Sequence, residues 1–343
     1  MAKAVALLSG GLDSTLAILV LLRQGIEVTA LTFLTNFGCD ISDTSSCSKN
    51  PYPAAEKFGF TVKLSHLADK FIAIVKNPKY GHGRNMNPCM DCRILMLKEA
   101  KHFMDLSGAD FLVTGEVLGQ RPMSQRRDTF PVIDREAGAT GLVVRPLSAR
   151  LMKPTKPELA GLVDRERLYG FSGRSRKPQI ELAREFGLTE YPAPAGGCLL
   201  TDPVYAYRLQ DLLSHTPDPA IRDINLLRTG RHFRVTDTCK IIIGRNDSEN
   251  RFMESLVEPE SITLRVENAG SPLTLISGTV TDDILRLAAS LTARYSDAKR
   301  LPEVEVSVYH GMSTPVARLS VKPADTNILE SYRIEKKMSG TRT

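Results

Sequence analysis

No run of eighteen apolar residues occurs in the 343-residue chain, which excludes an ordinary membrane-spanning helix. The opening residues, Met1–Leu8, lack the layout of a secretory signal peptide: a short strand-like apolar run with one lysine passes straight into a glycine turn. The chain is therefore expected to be cytoplasmic and not membrane-bound. In that reducing setting the six cysteines do not form a disulfide framework. Internal repeats are absent, which excludes a solenoid. Two nucleotide-loop signatures are missing as well. There is no Gly-Lys-Ser/Thr ending of a Walker A loop and no G-x-G-x-x-G dinucleotide fingerprint.

What is present describes a globular chain of two domains. Apolar residues make up 42% and charged residues 24%, and the length allows a large core without disulfide staples. The formal charge of +6 weakly favours an anionic partner. Strand and helix signals alternate through the first two thirds. Ala4–Leu8, Glu27–Phe33, Thr61–Leu64 and Phe111–Thr114 read as strands, Asp13–Gln24 and Arg93–Leu106 as helices, and Asn77–Pro88 as a loop. This rhythm predicts an α/β fold with a doubly wound, mainly parallel sheet, whose ligands sit at the carboxyl ends of strands. The character changes near Pro203, so residues 1–203 and 204–343 are expected to be separate domains. The second reads as α+β: an initial helix, strands such as Lys240–Ile243, Ser261–Val266 and Glu303–Tyr309, and a helix over Thr281–Tyr295.

Leu8-Ser9-Gly10-Gly11-Leu12-Asp13-Ser14-Thr15 follows a strand and opens a helix. The glycines let backbone N–H groups approach an anion at a helix N-terminus, and Ser9, Ser14 and Thr15 add hydroxyls. Asp13 suits phosphate only if Mg²⁺ or backbone donors balance its charge. The string resembles the PP-loop of the ATP pyrophosphatase superfamily. That resemblance implies that the loop grips the pyrophosphate of ATP while a substrate is adenylated. Phe33, ending the second strand, is a candidate for the adenine pocket and equally a core residue.

Thr114-Gly115-Glu116-Val117-Leu118-Gly119-Gln120, with Ser124-Gln125 after it, follows another strand. With the PP-loop it resembles the T-G-E-x-L-G-Q…S-Q segment of ThiI-type 4-thiouridine synthases, over roughly residues 1–200. The resemblance places Gly115 and Gln120 at the nucleotide. Arg121, Arg126 and Arg127 follow as candidates for RNA phosphate, although a charge run is more often a solvated face. ThiI enzymes carry an RNA-binding THUMP region ahead of the loop, whereas here the loop starts at Leu8. The grip on RNA is then expected from elsewhere in the chain.

Cys89-Met90-Asp91-Cys92 forms a C-x-x-C at a helix start, which serves redox exchange, zinc or an iron–sulfur cluster. A second C-x-x-C and a suitably spaced His pair are both lacking, which argues against structural zinc. Cys198 follows Gly196-Gly197 and supplies a third thiol. PP-loop thiolation enzymes that resemble this chain carry such a trio, which implies a [4Fe–4S] cluster with one open iron. A cluster-free persulfide relay and a purely structural trio are the alternatives. Cys39, Cys47 and Cys239 read as ordinary thiols.

Gly230-Arg231-His232-Phe233, Ile243-Gly244-Arg245-Asn246, Glu249-Asn250 and Ala269-Gly270-Ser271-Pro272 each suit a generic α+β domain. Their order resembles the NFACT-R type of RNA-binding domain over roughly residues 225–320. The resemblance makes Arg231, Arg234, Arg245 and Arg251 candidates for phosphate contacts, which position RNA without reading sequence.

Together these resemblances imply an ATP-dependent tRNA thiouridine synthase, with Asp13, Cys89, Cys92 and Cys198 as the catalytic candidates. The expected cofactors are ATP, Mg²⁺ and the cluster. The expected partners are tRNA and a sulfur donor, either a cysteine desulfurase or free sulfide, with a homodimer left open. Two rival readings are a PP-loop sulfurtransferase or amidotransferase acting on a small molecule, and a non-catalytic RNA-binding protein.

Overall fold

The computed structural model describes residues 1–35, 37, 50–191 and 198–337. The chain divides into two compact units, Met1–Asp202 and Pro203–Thr343. No helix among the described residues is long and apolar enough to cross a membrane.

In the first unit, strands β1 (Lys3–Leu7), β2 (Glu27–Leu34), β3 (Thr61–His66), β4 (Phe111–Thr114) and β5 (Val143–Val144) form one sheet in the order β3-β2-β1-β4-β5. Every pairing is parallel. A parallel strand inside a doubly wound sheet is covered on both faces, so it reads as a continuous apolar run rather than an alternating one. β1 is buried from Ala4 to Leu7, and all four residues of β4 are buried. The helix Leu12–Leu22 between β1 and β2 is apolar nearly all round, and its Leu16, Ile18 and Leu21 are wholly buried. The strand order reverses between β1 and β4, and in such sheets that switch point is where ligands bind.

The expected helix over Arg93–Leu106 is longer, Cys89–Ser107, and takes both cysteines into its first turn. Pro88 stands at the N-cap, and Gly108 ends the helix in the left-handed region at φ 63°. Asp91, buried in that first turn, accepts hydrogen bonds from the N–H groups of Lys79 and Tyr80 at 2.9 and 3.1 Å. The preceding loop is thereby tied to the helix start.

The second unit holds β6 (Arg231–Thr236), β7 (Cys239–Ile243), β8 (Ile262–Val266), β9 (Thr274–Gly278), β10 (Val304–His310) and β11 (Pro315–Val321). They form an antiparallel sheet in the order β11-β10-β8-β9-β7-β6. The helix Asp282–Tyr295 buries Ile284, Ala288, Ala289 and Leu291 in a core with Ile241, Ile243, Leu264 and Val306. The small residues Ala288 and Ala289 allow that helix to lie close to the strands.

Candidate active site

The turn after β1 is closed by hydroxyls. Ser14 Oγ donates to Gly11 O at 3.0 Å, lies 3.1 Å from Ser9 Oγ and accepts from Ser9 N–H at 3.3 Å. Gly10 occupies the left-handed region at φ 69°, which turns the chain from the strand into the helix. The second motif packs directly against this turn. A Cβ on Gly115 would lie 2.4 Å from Ser14 Cα and 2.5 Å from Ser14 N, so only glycine fits. Gln120 then reaches back, and its Nε2 donates to Asp13 Oδ2 at 3.0 Å. The turns following β1 and β4, 107 residues apart at these two side chains, thus form one constellation at the switch point.

Asp13 keeps its other oxygen, Oδ1, buried without a hydrogen bond. Burial pushes its carboxyl above the ordinary carboxylate range, against the hydrogen bond from Gln120 and the positive charges of Arg176 and Arg121. A buried carboxylate oxygen with nothing to accept from is the donor type that holds Mg²⁺ together with substrate phosphates, so Asp13 fits that ion.

Gln179 also belongs here. It is 0% exposed on the helix Lys177–Glu185 and favours the ionised form of Asp13, yet neither its Oε1 nor its Nε2 makes a full hydrogen bond. The sequence reading omits Gln179 and Arg176. Gln179 shares the buried helix face with Leu182 and Ala183, and a glutamine at an apolar position of the helical period is the signal that marks it.

Glu116 of the second motif turns away from the nucleotide loop. It is 2% exposed, accepts from Thr114 Oγ1 and Arg145 Nε, each at 3.0 Å, and stands 3.4 Å from Arg93 Nε. Arg145 in turn grips Asp134 through two bonds of 2.7 and 3.0 Å and lies 4.1 Å from the Phe130 ring centre. This network joins β4 to the residue following Cys92. Phe33 is buried on β2. Arg121, Arg126 and Arg127 are exposed, and Arg126 pairs with Asp128 at 3.1 Å.

Cys89, Cys92 and Cys198 are all half-buried. Asn87 Nδ2 donates to Cys89 Sγ at 3.2 Å. The stretch after Cys198 is tied to the loop before Cys89: Met86 N–H donates to Leu200 O at 3.1 Å and Asn85 Nδ2 to Thr201 O at 2.7 Å. The three thiols are the right donors for iron, but among the described residues no group of three or more His, Cys, Asp or Glu side chains is gathered to hold a metal ion. Gly196, Gly197, Cys39 and Cys47 lie outside the described residues.

In the second unit each arginine singled out from the sequence already has a partner. Arg231 donates to Gly244 O at 3.0 Å and lies 4.2 Å from the Tyr295 ring centre, and burial lowers its pKa. Arg234 clasps Asp211, its Nη2 lying 2.6 Å from Oδ2. Arg245 Nε donates to Glu249 at 2.7 Å. Arg251, 75% exposed, pairs with the equally exposed Asp247, a surface pair that costs little to exchange for phosphate. Asn246 caps the helix Asp247–Glu254 by accepting from Glu249 N–H at 2.9 Å.

Comparison with known proteins agrees with this division. Residues 1–153 match the family model described as thiamine biosynthesis protein (ThiI), and residues 230–333 match the NFACT protein RNA binding domain. The tRNA-specific 2-thiouridylase MnmA of Chlorobaculum tepidum is 30% identical over 189 residues, covering 53% of this chain and 47% of that protein. The bifunctional protein NifU/MnmA of Rubrobacter xylanophilus is 31% identical over 155 residues, covering 40% of this chain and 32% of that protein. The chain thus spans about half the length, or less, of these curated relatives. A solved 4-thiouridine synthetase–RNA complex with bound ATP overlaps 55% of this chain and 52% of its own at 20% identity, with a TM-score of 0.35, too low to bear on the argument. The first unit is thus similar to the ThiI family over residues 1–153, and its loop after β1 lies at the switch point of a parallel sheet. More particularly, the chain joins a region similar to ThiI and to MnmA proteins to a C-terminal region similar to the NFACT RNA binding domain.

Proposed function

We propose that the protein is an ATP-dependent tRNA thiouridine synthase. The reading rests on one observation above all: Gly115 packs on Ser14 while Gln120 holds Asp13, so two motifs build a single phosphate loop around one unpartnered carboxylate oxygen. The N–H groups of the loop after β1, with Ser9, Ser14 and Thr15, bind the β- and γ-phosphates of ATP. Asp13 would hold Mg²⁺, which would supply charge neutralisation for the departing pyrophosphate. A uridine carbonyl oxygen attacks the α-phosphorus, pyrophosphate leaves, and the base carries AMP on that oxygen. Arg121 and Arg176, whose positive charges act on Asp13, are the cations for the charge developing on phosphate. The exposed arginines of the second unit, Arg251 foremost, exchange their acidic partners for RNA phosphates.

Sulfur then displaces AMP from the activated carbon. A persulfide on one cysteine, resolved by a second cysteine thiolate, accounts for this step. The resolving attack releases the thiolated base and leaves a disulfide, which an external thiol reduces. Full-length protein incubated with tRNA, ATP, a reducing thiol and a sulfane-sulfur donor that loads the cysteine persulfide, such as a cysteine desulfurase with free cysteine, is expected to give AMP and a thiouridine, the latter detected by mass spectrometry of nucleosides. AMP formation that ignores tRNA would move the assignment to a small-molecule substrate. Iron and acid-labile sulfide counts on anaerobically purified protein test the sulfur route. About four of each, lost in Cys198→Ala, would restore the cluster and overturn the persulfide route.

A further inference from the structure

The sheet of the second unit carries a cavity of about 240 Å³, lined by Leu212, His215, Asp223, Arg234, Lys240 and Ser277 among others. Three of these form a row across adjacent strands, since Arg234 on β6 is the register partner of Lys240 on β7, and Lys240 that of Ser277 on β9. The helix Pro203–His215 covers the row with Leu212 and His215.

Lys240 is the anomaly. It is 4% exposed, and its ammonium makes no hydrogen bond or ion pair to a described residue. Burial, then the nearby Arg234, lowers its pKa to about 8, against the opposing pull of Asp211 and Asp223. Buried ammonium groups in folded proteins are normally paired. Arg234 shows the contrast, because its Nε and Nη2 both donate to Asp211. The cavity therefore offers one ammonium donor, carried by a side chain that is otherwise buried. It also offers carboxylates: Asp223 lines the wall and Asp237 the rim.

That mixture selects the occupant. A phosphate would satisfy Lys240 but bring negative charge against two aspartates. A nucleobase edge on which a carbonyl adjoins an N–H satisfies both kinds of group, and unpaired bases are what RNA-binding domains read. The volume is below the ~300–1,000 Å³ of pockets that take a whole small molecule, which suits a single base. We propose that this cavity captures one unpaired uracil or guanine base of RNA, Lys240 donating to its carbonyl and Asp223 accepting from its N–H. The assignment rests on the RNA-binding reading given above.

The test is binding of fluorescent eight-nucleotide oligomers of uridine or of adenosine to the full chain, alongside bulk tRNA. Uridine oligomers are expected to bind at least tenfold more tightly than adenosine oligomers. Lys240→Met, which keeps the bulk of the side chain, should abolish that preference while leaving adenosine-oligomer and tRNA affinity within about threefold. Asp223→Asn, on the cavity wall rather than in the sheet, should reduce the preference in the same direction if Lys240→Met does not fold. Equal wild-type affinity for the two oligomers overturns the assignment. So does an equal loss of both in Lys240→Met, or displacement of uridine oligomers by inorganic phosphate at constant ionic strength, either of which makes the cavity a phosphate site. Wild-type protein that binds neither oligomer nor tRNA overturns the RNA-binding reading and this assignment together.

Discussion

At the scale of single residues, the phosphate loop depends on one missing side chain and one uncomfortable charge. Gly115→Ala would force a Cβ to within 2.4 Å of Ser14 Cα and push the two motifs apart. Displacements of about 1 Å cost on the order of 10²-fold in rate. Pyrophosphate release is therefore expected to fall by about that factor, with circular dichroism unchanged. Asp13 carries a pKa raised by burial, so the native state holds a proton that the unfolded chain has lost over the window between the ordinary carboxylate value and the raised one. Its contribution to stability is full below the unfolded pKa and is lost as pH rises through the folded pKa. Asp13→Asn should accordingly melt higher than wild type at pH 7, by ~2–4 °C for each ~1 kcal/mol relieved. The gap should close near pH 4, and AMP formation should be abolished at every pH. Wild-type protein melting above the variant at pH 7 would show that the charge is already compensated. Ser9–Thr15 and Gly115–Gln120 are legible in the sequence because torsion and hydroxyl demands leave few residue choices there. Gln179 is not, because its role appears only when a helix some 165 residues further on is folded against Asp13.

At the scale of elements, legibility follows burial. β1 and β4 are enclosed on both faces and stand out as apolar runs. β11, Pro315–Val321, is an edge strand exposed over most of its length and carries no such signal. The start of the cysteine helix is misjudged by four residues, Arg93 rather than Cys89, because Pro88 and the polar stretch before it read as loop. What moves the boundary is Asp91, whose carboxylate collects two backbone N–H groups from the preceding loop. Asp91→Ala removes both bonds from a buried site and should destabilise the first unit by ~1.5–3 kcal/mol in urea unfolding. The network behind the second motif carries higher stakes. Arg145→Met leaves Glu116 and Asp134 buried without their guanidinium, for an expected loss of ~3–5 kcal/mol. Substituting all three residues by apolar ones of similar volume should recover much of that loss, which would separate an unpaired charge from general damage.

At the scale of the whole molecule, the two units divide the proposed work. One activates a uridine and the other holds the RNA that contains it. The tethering of two such units replaces a bimolecular encounter by an intramolecular one, with an effective concentration of about millimolar for a short linker. Residues 203–343 expressed alone should then bind tRNA with nearly the salt dependence of the full chain, since the exposed phosphate partners lie there. Arg251→Gln should lower the slope of log affinity against log salt by about one. Residues 1–202 alone should retain ATP binding but thiolate tRNA poorly. Mixing the two pieces at micromolar concentration should not restore the rate, because each piece would reach the tRNA independently at about a thousandth of the tethered concentration. Full activity of residues 1–202 alone would assign the grip on RNA to the first unit, where the exposed Arg121, Arg126 and Arg127 flank the nucleotide motif. The second unit would then be left with the base-capturing role, or with none in this reaction.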